Sequence, residues 1–185
     1  MPGYRRGVTV RHVVLLRGIN VGGRNKVAMG DLRSLLTEAG FADVATYIQS
    51  GNVLLTTPAR EELEAEIEAL LAQRLGMSLV VVVRTADQVR SVLAGAPQGF
   101  GAHPETYLSD VVFLKAPLTG EDALGVVSLR EGVDSAWAGD GVLYFQRVSA
   151  RRSRSRLSTL VSKPEYQSMT IRNWATTTRL VELAA

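Results

Sequence analysis

Residues 8–40 read VTVRHVVLLRGINVGGRNKVAMGDLRSLLTEAG, and inside them Leu15 to Val27, LLRGINVGGRNKV, separates two different periodicities. Val8 to Leu16 alternates weakly and then turns wholly apolar, the pattern of a buried strand that ends at Arg17. From Met29 onward the apolar residues Met29, Leu32, Leu35, Leu36 and Ala39 recur at helical spacing, and Gly40 stands where a left-handed C-terminal cap is wanted. A strand therefore enters a glycine-rich basic loop, Gly18 to Val27, and leaves it as a helix.

The same reading extends outward. Val44 to Gln49 and Val53 to Thr56 are β-rich and flank the turn residues Ser50, Gly51 and Asn52, which predicts a hairpin. Thr57 is placed to cap the next helix, with Pro58 at its first position, Glu61 and Glu62 in its first turn, one apolar face from Leu63 to Leu75, and Gly76 as its stop. Leu79 to Val83 is a continuous apolar run typical of a central strand, and Thr85 with Gln88 forms a capping box for a short helix closed by Gly95. The order βαββαβ predicts a ferredoxin-like unit.

Beyond a linker at 96–109, rich in Gly and Pro, Asp110 to Leu114 reads as a second buried strand, and Thr119 with Asp122 opens a short helix. Val133 to Trp137 and Val142 to Val148 read as a hairpin, Ser155 to Val161 as helical, and Asn173 to Leu183 as a last helix. The expected architecture is α+β: a ferredoxin-like subdomain over 1–95 and a second over 110–185, the latter carrying an additional C-terminal helix.

Composition narrows the function classes. The 185 residues include 46% hydrophobic and 21% charged side chains, ordinary globular usage. Cysteine is absent, which excludes disulfides, thiolate metal sites and cysteine nucleophiles. No run approaches the eighteen or so apolar residues of a membrane span, and the first residues do not form a leader, so a cytoplasmic protein without membrane contact is expected. Charge is unevenly spread: Met1 to Lys26 has six basic and no acidic residues, Val27 to Gln146 seven against sixteen, and Arg147 to Ala185 eight against two. Two basic ends brought together would hold an anion. Eighteen of the twenty-one cations are Arg, a usage that fits a GC-rich genome and is not in itself a sign of nucleic-acid binding.

The loop carries the candidate ligand-binding residues Arg17, Asn20, Gly22, Gly23, Arg24, Asn25 and Lys26. Glycines let main-chain N–H groups approach an oxyanion, a following helix N-terminus adds its positive end, and Arg or Lys completes the neutralisation. The spacing matches neither G-x-x-x-x-G-K-[ST] nor G-x-G-x-x-G. A second reading is open: glycines that merely permit a tight crossover, with Asn20 and Asn25 bonded to backbone. Gln49, Ser50 and Asn52 on the hairpin turn either satisfy their own backbone or border the loop and contact a ligand. Arg154, Ser155 and Arg156 are either a solvated run or the other half of an anion site. Arg172 and Asn173 open the last helix, where Asn173 also suits a plain N-cap.

For catalysis and metal binding the sequence offers little. His12 and His103 have no partners at ligand spacing, no G-x-S-x-G elbow exists, and nothing singles out Asp31, Asp110 or Asp140. No metal and no cofactor is indicated.

The stretches LLRGINVGGRNKVAMGDLRSLL, TYIQSGNVLL, SRL and TIRNWATTTRLVEL together resemble the domain-of-unknown-function family 1697. The resemblance implies two ferredoxin-like subdomains and no activity. Two positions depart from the family pattern, Arg24 and Arg156 each standing where lysine is usual. Both keep the charge but replace a point charge with a fork, so a Schiff base or lysine base at 156 is excluded while anion binding survives. Three functions are carried forward: binding of a phosphorylated small molecule or nucleotide, RNA binding on the sheet with Tyr47 and Tyr144 as platforms, and group transfer on a phosphorylated substrate.

Overall fold

The computed structural model describes residues 8–20, 22 and 25–185. They fall into two units, one ending at Gln88 and taking in Leu183–Ala185, the other Val89–Glu182.

The first unit runs β1 (Thr9–Leu16), α1 (Met29–Glu38), β2 (Ala42–Tyr47), β3 (Asn52–Pro58), α2 (Leu63–Leu75) and β4 (Val81–Thr85). Its sheet order is β2-β3-β1-β4, every neighbouring pair antiparallel, which is the split arrangement of a ferredoxin-like unit. Val14 and Leu16 of β1, Leu55 of β3 and Val81 of β4 share one face and pack with Leu32 and Leu36 of α1 and Ile67 and Leu71 of α2. The residues between them, Val13, Leu15, Leu54 and Val82, are equally buried, which is why these strands read as continuous apolar runs.

The free edge of β4 is covered chemically. Arg17 N–H donates to Val80 O at 2.9 Å, so by the antiparallel alternation the N–H groups of Val81 and Val83 point away from β1. Glu68 Oε1 accepts from Val81 N and Glu64 Oε1 from Val83 N, each at 2.9 Å. Carboxylates on α2 thus close an edge that would otherwise template pairing with another chain.

Two boundaries differ from expectation. The helix read from Thr57 begins instead at Leu63, because β3 continues through Pro58 and Thr57 is a buried ladder residue opposite Val10. Proline is tolerated there as the last residue of the strand. The strand read at Leu79–Val83 lies two residues later, and its last residue Thr85 also caps α3 (Ala86–Ala94) through reciprocal bonds with Gln88.

The second unit contains β5 (Tyr107–Leu114), α4 (Gly120–Val126), β6 (Asp134–Gly139), β7 (Val142–Val148), three 3-10 turns (Ser149–Arg154, Leu157–Ser162, Pro164–Ser168), β8 (Met169–Asn173) and α5 (Trp174–Ala184). The sheet order β6-β7-β5-β8 repeats that of the first unit. The capping box of Thr119 and Asp122 is present as expected. The helix expected at Ser155–Val161 is not α-helical; it is the 3-10 turn Leu157–Ser162 with only Leu160 buried. Its apolar residues Leu157, Leu160 and Val161 stand at helical spacing, but Val161 is exposed and Leu157 only partly buried, so little tertiary packing supports a longer helix, and Pro164 follows closely. Strand β8 was not anticipated. It pairs with β5 from Leu114↔Met169 to Asp110↔Asn173, and its five residues run directly into a helix without a turn to announce it.

Candidate functional site

The N-terminal loop leaves β1 at a point held from both sides. Leu16 N–H donates to Gly51 O at 2.8 Å, and Arg17, half-buried, gives its N–H to Val80 O, just before β4. The chain then passes through left-handed conformations at Gly18 (φ 75°), Asn20 (φ 55°), Gly22 (φ 58°) and Asn25 (φ 48°). Such angles suit glycine and, less readily, asparagine.

Asn20 is the clasp. Its Nδ2 donates to Val27 O at 2.9 Å and to Gln49 O at 3.0 Å, while its Oδ1 accepts from Val27 N at 2.8 Å. Both amide donors are then spent, leaving none for a ligand. Asn25 Nδ2 donates to Gly18 O at 3.1 Å, and Asn20 N–H donates to Asn25 O at 3.1 Å. The two asparagines bind backbone and tie the described ends of the loop to each other. Gly22 and Lys26 are exposed on it. Gly23 and Arg24 lie outside the described residues.

The β2–β3 turn borders this loop through Gln49 O. Asn52 is fully buried, with Nδ2 donating to Tyr47 O at 3.2 Å and Ser50 Oγ at 3.0 Å, so the turn holds its own shape. A Cβ on Gly51, at φ +75°, would run into Ile19 Cγ2 and sit 2.9 Å from Leu16 Cβ. Only glycine lets the turn approach so closely. Ile48, half-exposed at φ 49°, is a β-branched residue in a conformation its side chain opposes.

Helix α1 follows two residues after Lys26. Its N-cap is Ala28, which supplies no side-chain bond, so the first-turn N–H groups have no capping side chain. Asp31 is the acid of that turn.

In the second unit, Arg154 and Arg156 are exposed and Ser155 is half-buried. Arg156 N–H donates to Asp134 Oδ2 at 2.9 Å, and Leu157 N–H to Ser155 Oγ at 3.2 Å. The main-chain donors at this turn are therefore already occupied. Asp134, which the sequence reading passed over, is buried, accepts also from Arg130 N at 3.0 Å, and leaves Oδ1 without a partner. Its only sequence signal was an acid heading a short strand.

Arg172 is a strand residue, buried, with Nη1 on Thr170 Oγ1 and Ile171 O, both at 2.8 Å. Burial pushes its pKa down to about 10, and it remains a cation at neutral pH. Asn173 Oδ1 accepts from Thr176 N at 2.8 Å and caps α5. Tyr144 is 2% exposed with its hydroxyl on Val92 O, so no base can stack on it.

His12 is buried, and desolvation pushes its pKa down. It precedes the end of β1 by four residues, about 13 Å along a strand. Asp110 is raised by burial and partly restored by Arg147, whose Nη1 lies 3.1 Å from Oδ2. Among the described residues no three His, Cys, Asp or Glu converge as metal ligands, and no helix is long and apolar enough to cross a membrane.

The family model described as "Protein of unknown function (DUF1697)" matches residues 10–144. The chain belongs to this family. The DUF1697 span takes in the glycine-rich loop and the β2–β3 turn and ends at Tyr144, short of the SRL and TIRNWATTTRLVEL blocks. A solved structure, that of the conserved bacterial protein SP0830 from Streptococcus pneumoniae, is similar at 25% identity with a TM-score of 0.83, covering 96% of this chain and 100% of that one. No curated protein matches the chain.

Proposed function

We propose that the loop from Arg17 to Lys26 binds the phosphate of a phosphorylated small molecule or nucleotide, in a cytoplasmic setting that a cysteine-free chain suits. The observation that carries this reading is the division of labour in the loop. Asn20 and Asn25 spend their amides on backbone, which leaves Gly22 and Lys26 exposed on a fixed frame beside the uncapped start of α1. A helix N-terminus offers N–H donors and a positive dipole end, and a nearby lysine supplies a point charge. Preorganisation lowers the ordering cost of binding.

The RNA platform is not favoured, because Tyr144 is sealed in the core. Thermal-shift screening against nucleotides and phosphorylated metabolites tests the proposal. A ligand at a hundred times its Kd stabilises the folded state by about 2.7 kcal/mol. Lys26→Gln abolishes that shift while leaving the unliganded melting temperature unchanged. A flat response across all phosphate-bearing ligands contradicts the proposal.

A further inference from the structure

The second unit carries a strongly charged surface segment of its own. Between β7 and β8, where the first unit has α2, the chain reads SARRSRSRLS from Ser149 to Ser158. Arg151, Arg152, Arg154 and Arg156 are all exposed, as is Ser153, and the turn Ser149–Arg154 has no buried residue. Of this stretch only Leu157 packs against the hydrophobic core.

Its backbone is nevertheless fastened. Ser155 N–H donates to Arg152 O at 3.2 Å, Arg156 N–H to the buried Asp134, and Arg151 Nη1 to Gly132 O at 3.3 Å. No ion pair among the described residues joins Arg152, Arg154 or Arg156 to an acid. Asp134, the carboxylate bonded to the segment, accepts main-chain N–H groups at Oδ2 and pairs with none of these guanidinium groups. Four guanidinium groups thus stand within the six residues 151–156 on one exposed, fastened segment.

We propose that this segment is a contact surface for the phosphodiester backbone of a nucleic acid. Guanidinium forks interleaved with serine hydroxyls are the side chains that bond phosphate oxygens, and such contacts position a strand without reading its sequence. The buried state of Tyr144 agrees with a surface that touches backbone and stacks no bases. The nearest large apolar side chain exposed on the same run is Val161, a single residue, which favours a nucleic acid over insertion into a lipid surface.

Fluorescence anisotropy with a labelled mixed-sequence single-stranded RNA, and in a parallel arm a duplex DNA, tests the surface. With about four phosphates neutralised, the single-strand affinity falls roughly fifty-fold between 50 and 200 mM salt, following a slope near −0.7 per contact. The triple variant R152Q/R154Q/R156Q reduces that loss to roughly threefold and weakens binding at low salt, with an unchanged melting temperature because all three side chains are exposed. The arm with the tighter binding at equal salt identifies the strand form. K26Q leaves nucleic-acid binding intact, which separates this surface from the loop. The proposal is overturned by absent or salt-insensitive binding, by a triple variant that binds as the parent does, by loss on K26Q instead, or by equal binding to phosphatidylserine vesicles.

Discussion

The two units use one ladder and differ in what crosses it. Leu16 N–H bonds Gly51 O in the first unit as Leu114 N–H bonds Gly141 O in the second, and Arg17 N–H bonds Val80 O as Lys115 N–H bonds Ser168 O. Arg84 and Arg172 occupy matching places, opposite Val13 and Val111, and each bonds the carbonyl of the residue before it. The crossovers share almost nothing. The first unit leaves β1 through the loop tied by Asn20 and Asn25, whereas the second passes from Lys115 to a capped helix at Thr119. The first returns through an acid-rich helix whose glutamates close the β4 edge; the second returns through arginine-rich 3-10 turns held by an aspartate. The strands carry the architecture, and the crossovers are where chemistry can vary.

If the 3-10 turns truly replace a helix, they must cover the sheet as α2 does. Ile67→Ala, in α2, and Leu160→Ala, in the middle turn, each remove a buried side chain and each cost about 2–5 kcal/mol in denaturant unfolding. A cost below about 1 kcal/mol at Leu160 would break the equivalence and make the turns ornament.

A smaller effect separates the two anchoring acids. Asp134→Ala strands two part-buried main-chain donors and costs about 2 kcal/mol, while Glu68→Ala frees one donor at a strand edge and costs about 1 kcal/mol. The same unfolding series, with both variants side by side, checks the order. Asp134→Ala also loosens the arginine segment, detectable as faster hydrogen exchange at Arg156.

The smallest effect is in pH. Asp110 has its carboxyl raised above the ordinary 3.8 by burial, so between that value and its folded-state value the native chain holds more protons than the unfolded one. Stability from this group is therefore greatest in acid and declines as pH rises through the window. Asp110→Asn removes that decline. Parallel slopes for parent and variant from pH 4 to 6 would show that Arg147 compensates fully.

Where the sequence alone was sufficient, the reason was local. The capping boxes at Thr85 and Thr119 are complete within four residues, and α1 shows its own period, so both were legible. Strand β8 was not, because five residues facing β5 have no turn of their own and Asn173 doubles as a helix cap. Thr57 and Pro58 imitate a helix start that the ladder with Val10 overrides. In the loop, the residue types were readable but their roles were not. Asn20 acts on Gln49, twenty-nine residues away, and only the fold places them together. Asp134 was invisible for the same reason, since its partner Arg156 is twenty-two residues distant.

On the proposed function, the loop of the first unit, rather than the arginine segment of the second, holds a single phosphate group. An NMR titration of the 15N-labelled chain with inorganic pyrophosphate tests it most directly. Saturable shifts are expected at the amides of Gly22, Lys26, Met29 and Gly30, lost in Lys26→Gln. Shifts confined to residues 149–163, or none at all, would contradict it.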